Sequence, residues 1–296
     1  MVNAALGVEL RDLLIGFQQS LYRNELKQGQ RDDEIEFIFK RLAAQVEVNK
    51  MQRDNIPSLT RALDEIRLTA AYGEAFEETE PLVSVRIASY QKTEELIEVA
   101  VASVLAQTYD KLELIIVNDG PNERTRKALT SLGDPRIRYE EFPHRNTYPE
   151  DAHSRWMVAG SPGMNHGNDL ATGTWVAPLD EDDSFTTDHI EKLLALARSE
   201  RVELAYGALR QKNLVNGTEL RIWSSPPRVS EFSFQGAIYL RLLASIFQYD
   251  EASWVVEEPG DWNLIRRMSA AGVTMAATPD VVATMNHTPY THKVIG

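Results

Sequence analysis

The sequence predicts an α/β protein: a mostly parallel central sheet flanked by helices, preceded by a helical N-terminal extension. Three observations carry this reading. From residue 82 onward, runs rich in Val, Ile and Leu alternate with stretches of helical apolar spacing. The runs LELIIV and TWVAPL are near-continuously apolar, as strands buried on both faces are. Both then stop at acidic residues, at the carboxyl end of the strand where open α/β sheets bind ligands.

Residues 8–73 predict three helices. VELRDLLIGFQQSLYRNEL sets Leu10, Leu13, Leu14, Phe17 and Leu21 on one face, and DDEIEFIFKRLAAQVEV repeats the pattern. IPSLTRALDEIRLTAAYG repeats it again after Asn55, with Pro57 in a first turn that tolerates it. Acids and bases are mixed along these helices. They therefore read as a structural appendage or a homo-oligomer contact, not as a basic membrane-surface helix. The acidic linker EAFEETEP divides this extension, residues 1–80, from a second domain, residues 81–296.

In the second domain LVSVRIASY is the first strand and TEELIEVAVASVLAQ the first helix. LELIIVNDG is a strand, NERTRKALTSL a helix and RIRYEEF a strand. HRNTYPEDAHSRWMVAGSPG, rich in Gly, Pro and polar residues, reads as a loop and a lid. TGTWVAPL is the next strand, with TDHIEKLLALARS as the helix behind it. AYGALRQKNLVNGTELRIW reads as two strands joined at Asn216-Gly217, and GAIYLRLLASIF as an apolar helix. Together with Trp223 and the loop SSPPR, these last elements are expected to wall an acceptor site.

Composition narrows the function. The 296 residues carry 31 Lys and Arg against 44 Asp and Glu, a net charge of -13, which disfavours a nucleic-acid partner. No cysteine is present, so disulfides and thiolate metal sites are excluded. No apolar run approaches the ~20 residues of a membrane span, and the start lacks a signal-peptide pattern. The expected location is cytoplasmic. The first strand runs into Ser89, Tyr90 and Gln91, with neither GxGxxG nor a phosphate-cradling Gly-Lys-Ser/Thr loop.

The acidic run Asp180, Glu181, Asp182, Asp183 follows TWVAPL directly. Crowded carboxylates repel, and a hard divalent cation, Mn²⁺ or Mg²⁺, offsets that repulsion while admitting an anionic substrate. Asp180-x-Asp182 suits such an ion. The same residues also read as a turn and N-cap leading into a helix.

Taken together, the motifs resemble the family 2 nucleotide-sugar glycosyltransferases, which have the GT-A fold. They run in order: Ser89-Tyr90; Ser103 to Gln107 and Tyr109; Asn118-Asp119-Gly120; MNHGNDLATGTWVAPLDEDD; and Pro259-Gly260-Asp261-Trp262-Asn263-Leu264. The resemblance covers about residues 82–290. It implies a Rossmann-like sheet and an inverting, metal-dependent transfer from a nucleoside diphosphate sugar, a UDP-sugar being favoured. It implies that Tyr90 and the Ala88 backbone lie against the base, that Asp119 accepts the base N3–H, and that Asp180 contacts the ribose or, through water, the metal. Asp182 becomes the direct metal ligand and His287 a further one, ahead of His292. Asp183 touches the donor sugar or holds the loop, while Glu181 points elsewhere.

Asp261 is the expected general base, with Glu257 and Glu258 as nearby alternatives, and Trp262 shapes the acceptor pocket or packs in the core. The chain departs from the family where Met164 replaces the Arg before Asn165-x-Gly167. Arg155 is the expected substitute cation, and Asn165 is expected in the vicinity of the donor phosphates or of the acceptor. A nucleotidyltransferase and a noncatalytic binding protein are the competing readings; the acceptor is left open.

Overall fold

The computed structural model describes residues 32–287. The helix expected over residues 8–26 lies outside them. Two elements follow the predicted extension: α1, Asp32–Asp54, and α2, Ile56–Arg67. The third predicted helix is broken. Thr69 is extended, its hydroxyl accepts from the Tyr72 amide, and a separate helix α3, Ala70–Glu77, begins there. A threonine that caps the following turn competes with continuing the preceding one.

The sheet contains β1 Val83–Ser89, β2 Leu112–Asn118, β3 Ile137–Glu141, β4 Trp175–Asp180, β5 Ser184–Phe185, β6 Leu204–Asn213, β7 Glu219–Ile222, β8 Ala237–Leu240 and β9 Met275–His287. Their order is β3-β2-β1-β4-β8-β6-β9-β5, with β7 hydrogen-bonded to β6. The half that carries the motifs, β3-β2-β1-β4, is parallel throughout. Beyond β4 the sheet becomes mixed: β8 runs antiparallel to both neighbours, and β6 pairs β9 in parallel.

Helices cover the sheet. These are α4 (residues 93–105, with a π-helical stretch at Leu96–Val101), α5 Glu123–Leu132, α6 Ala152–Val158, α7 Ser161–Leu170, α8 His189–Ser199, the short α9 Arg241–Ala244 and α10 Gly260–Ala271. The predicted α/β class with flanking helices is what the structure shows.

Two local expectations are corrected. GAIYLRLLASIF is not one helix: AIYL is strand β8, fully buried between β4 and β6, and only Arg241–Ala244 is helical. Non-local pairing outweighed the helical spacing. HRNTYPEDAHSRWMVAGSPG is a loop only to about residue 151. Its second half forms α6, capped by the Asp151 side chain on the Ser154 amide, and enters α7.

The N-terminal helices share the main core. Leu63 of α2 is fully buried, and Phe76 of α3 meets Trp175 of β4 edge-to-face at 5.8 Å. Buried ion pairs reinforce this. Arg67 donates to both oxygens of Glu203 at 2.7 and 2.9 Å, and Glu203 also accepts from Tyr72 and from Thr274. Arg266 of α10 binds Asp54 at 2.5 Å and Glu258 at 2.6 Å, and Lys50 reaches Glu258 at 2.8 Å.

Candidate active site

In register, Ser89 sits beside Asn118 and Ala88 beside Asp180, so the ends of β1, β2 and β4 align. Asn118 folds the chain after β2 by donating to the Gly120 carbonyl at 2.7 Å. Gly120 has φ +100°, and a Cβ there would meet the Arg145 backbone nitrogen at 3.0 Å, so the turn requires glycine. The helix after it is capped by Asn122, which accepts from the Thr125 amide. That leaves Asp119 free of any capping duty.

The aligned strand ends open on a crevice with two compartments. One, of about 410 Å³, is lined by Ala88, Tyr90, Lys92, Asp119, Arg145 and Arg155. The other, of about 430 Å³, is lined by Phe232, Gln235, Tyr249, Asp261, Trp262 and Met285. Asp180, Trp156 and Met164 belong to both and mark the junction.

In the first compartment Arg145 lies over the Tyr90 ring, its guanidinium carbon 4.2 Å from the centroid, a cation–π contact. Asp119 is buried and already engaged. It accepts from the Asn146 amide and side chain at 2.9 and 2.7 Å, and from the Tyr148 hydroxyl at 2.8 Å. The segment after β3 therefore covers the Tyr90 ring and Asp119. Lys92 pairs with Asp182 at 2.5 Å. Arg155 lines the compartment and donates to the Pro149 carbonyl at 3.5 Å.

The acidic turn is crowded. Burial, with Asp261 and then Asp182 adding to it, pushes the Asp180 carboxyl up to about 7, against the pull of Arg86 and a hydrogen bond from Gln235. Burial, Asp180 and Asp182 raise Asp183 well above the ordinary carboxylate range. Glu181, which also lines the first compartment, accepts from the Ser89 hydroxyl and Tyr90 amide at 2.8 and 2.9 Å. Asp183 ties the turn to β9: it is buried and accepts from the Asn286 amide at 2.8 Å, while Asn286 donates to the Asp182 carbonyl.

A carboxyl whose pKa is raised on folding favours the fold while protonated. That contribution is complete below about pH 4 and is lost as pH rises through about 7. An Asp180→Asn protein without metal is therefore expected to be more stable than wild type at pH 8, by roughly 1–4 kcal/mol, and to lose that advantage by pH 4. Thermal melts at the two pH values check this.

In the second compartment Asp261 stands in the first turn of α10, where a helix N-terminus favours a carboxylate. Its Oδ2 accepts from the Ser233 hydroxyl at 2.5 Å and the Phe234 amide at 3.0 Å, and its Oδ1 from the Tyr249 hydroxyl at 3.3 Å. Trp262 is half-buried on the wall of this compartment.

Two expected site residues are engaged by other groups. Asn165 brackets the backbone of Tyr249, a residue of the second compartment, accepting from its amide at 2.8 Å and donating to its carbonyl at 3.0 Å. Glu258 is buried in the ion pairs with Arg266 and Lys50, and burial is outweighed by those cations, so its pKa is lowered. His287 ends β9 opposite Asn213, but its side chain lies outside the described ones, and His292 lies outside the described residues. Among the described residues no three His, Asp or Glu side chains are placed to hold a metal by themselves. Sequence reasoning missed Lys92, Arg145, Trp156, Gln235 and Tyr249. The Lys92 signal, a cation two residues after Tyr90, was in plain sight.

A mixed sheet flanked by helices, with acidic strand ends opening on a divided crevice, is an α/β architecture that places its ligand site at the carboxyl ends of the parallel strands. The family model for glycosyl transferase family 2 matches residues 84–240, more than half of the chain, and the chain belongs to that family. It is 29% identical over 151 residues to the Escherichia coli UDP-Glc:alpha-D-GlcNAc-diphosphoundecaprenol beta-1,3-glucosyltransferase WfaP, covering 50% of this chain and 53% of that protein. It is 28% identical over 144 residues to the Rhizobium meliloti succinoglycan biosynthesis protein ExoO, covering 49% of this chain and 37% of that one. The chain thus spans about half or less of the length of these relatives. The S. aureus TarS structure superposes with a TM-score of 0.53 at 13% identity, over 69% of this chain and 36% of that one. At that identity the likeness establishes the GT-A fold alone. No described helix is long and apolar enough to cross a membrane.

Proposed function

We propose that the protein transfers a sugar from a UDP-sugar to an acceptor hydroxyl by single displacement with inversion, with Asp261 as general base and a divalent cation assisting. One observation carries this reading. A single crevice separates a compartment holding Tyr90, Lys92, Arg145 and Arg155 from one holding Asp261, and the two meet at Asp180. The first suits an aromatic base and an anionic diphosphate, the second an uncharged nucleophile. The name of WfaP, which specifies UDP-Glc, supports the choice of nucleotide.

Binding a uracil on Tyr90 requires Arg145 to leave the ring and the 145–148 segment to yield Asp119. Arg145 then stays within reach of the phosphates. The 180–183 turn fits a hard cation: it offers carboxylate oxygens, and the crowding that lifts Asp180 is the kind a cation relieves. Asp182 would hold it, with Asp180 nearby and His287 as the remaining candidate. When bound, the ion supplies charge neutralisation to the departing diphosphate. Lys92, released from Asp182, becomes available to the same phosphates. Asp261 removes the acceptor proton as its oxygen attacks the anomeric carbon from the face opposite the diphosphate.

The test is incubation with UDP-glucose or UDP-N-acetylglucosamine, Mn²⁺ or EDTA, and a panel of glycosyl acceptors. The expected result is Mn²⁺-dependent release of UDP, with NMR showing an anomeric configuration opposite to the donor's. Failure of both nucleotide sugars to bind at millimolar concentration in calorimetry would overturn the reading.

A further inference from the structure

Beneath the crevice floor lies a charge that the reaction above does not use. Arg86 stands in the middle of the core strand VSVRIAS and is 1% exposed. Burying a cation is costly unless specific partners answer it. Arg86 Nη2 donates to the Tyr249 hydroxyl oxygen at 2.8 Å, and the guanidinium lies 5.1 Å from the centre of the same ring. The phenol oxygen therefore accepts from Arg86, and its single proton is left for Asp261 Oδ1 at 3.3 Å.

The surroundings are built to hold this line of groups. Asn165 fixes the Tyr249 backbone on both sides, the use that its motif serves here. Two residues further along α7, Gly167 packs directly against Arg86: a Cβ there would sit in ordinary contact, 3.4 Å from Arg86 Cβ and 3.6 Å from its Cδ. Phe234, whose amide holds the other oxygen of Asp261, sets its ring edge-on to Tyr249 at 6.0 Å.

We propose that Arg86 and Tyr249 form a positioning relay that fixes the Asp261 carboxylate in the orientation needed to receive the acceptor proton. The proposal rests on the reading of Asp261 as base. A phenol that accepts a charged hydrogen bond is a stronger donor in turn, so Arg86 acts on Asp261 through Tyr249. Burial, opposed by Arg86 and aided by Asp261, raises the Tyr249 hydroxyl well above its ordinary range, so it stays protonated and remains a donor. The 3.3 Å separation leaves room to tighten when an acceptor docks. Tyr249 does not line the first compartment, so Tyr249→Phe leaves the groups proposed to hold the donor in place.

Tyr249→Phe removes only the hydroxyl and keeps the ring. Arg86→Lys keeps the charge without the fork, and backs up Arg86→Met should that variant not fold. The measurements are UDP release from UDP-glucose with Mn²⁺, UDP-glucose affinity by calorimetry, and crystal structures of the variants. Tyr249→Phe is expected to lower kcat about 10- to 100-fold with donor affinity unchanged, and to leave the Asp261 carboxylate rotated or in two conformers. An Asp261 carboxylate unmoved in Tyr249→Phe, with wild-type kcat while Asp261→Asn is inactive, would overturn the relay alone. Wild-type turnover by Asp261→Asn would instead remove the base assignment, and the relay with it.

Discussion

An Asp261→Asn enzyme is expected to transfer sugar about 10²- to 10⁴-fold more slowly than wild type while binding the donor as well as before. The substitution is nearly isosteric. The amide oxygen can still accept from the Ser233 hydroxyl and the Phe234 amide, so the start of α10 keeps its hydrogen bonds. What disappears is a group able to take a proton. Because Asp261 lies in the compartment opposite Tyr90 and Lys92, the loss falls on kcat and leaves the donor dissociation constant unchanged. Steady-state kinetics beside calorimetry with a nucleotide sugar separate the two quantities. A variant that loses donor binding in proportion to rate would place Asp261 at the diphosphate instead.

The second large effect is on stability. Arg67→Ala is expected to destabilise the fold by about 3–5 kcal/mol, because it leaves the Glu203 carboxylate buried without its cation. Tyr72 and Thr274 still donate to Glu203, which keeps the cost from rising further. The pH dependence carries a signature. Burial would raise the Glu203 pKa, yet Arg67 and the Thr274 amide hold it below the ordinary value. A depressed pKa stabilises the fold above the unfolded-state value of about 4.3 and loses that effect as pH falls below it. Wild type and Arg67→Ala should therefore converge in stability under acid and diverge at neutral pH, as urea titrations at pH 3.5 and 7 would show.

The sequence made the parallel half of the sheet legible because each strand there ends in a distinctive polar group. Asn118-Asp119-Gly120 and the 180–183 turn mark where apolar runs stop, and those ends align in space. The antiparallel half was less readable. β8 is four residues long and continues into Leu-rich sequence, and only its pairing with β4 and β6 makes it a strand. Site residues followed the same division. Asp180, Asp182 and Asp261 lie on one crevice, but what they touch is set by residues far away in the chain. Asn165 reads only as near donor or acceptor, and its partner Tyr249, 84 residues later, is invisible from the sequence around it. Arg86 was visible as a lone charge in VSVRIASY, yet nothing local announces a tyrosine 163 residues away.

The ion pairs from α1 to Glu258 reach beyond packing. Glu258 stands three positions before Asp261, and Lys50 and Asp54 grip it directly and through Arg266. A protein trimmed to begin at β1 would shed those struts and leave the turn that leads into Asp261 unbraced. Anyone seeking a minimal working fragment should begin the cut upstream of Asp32.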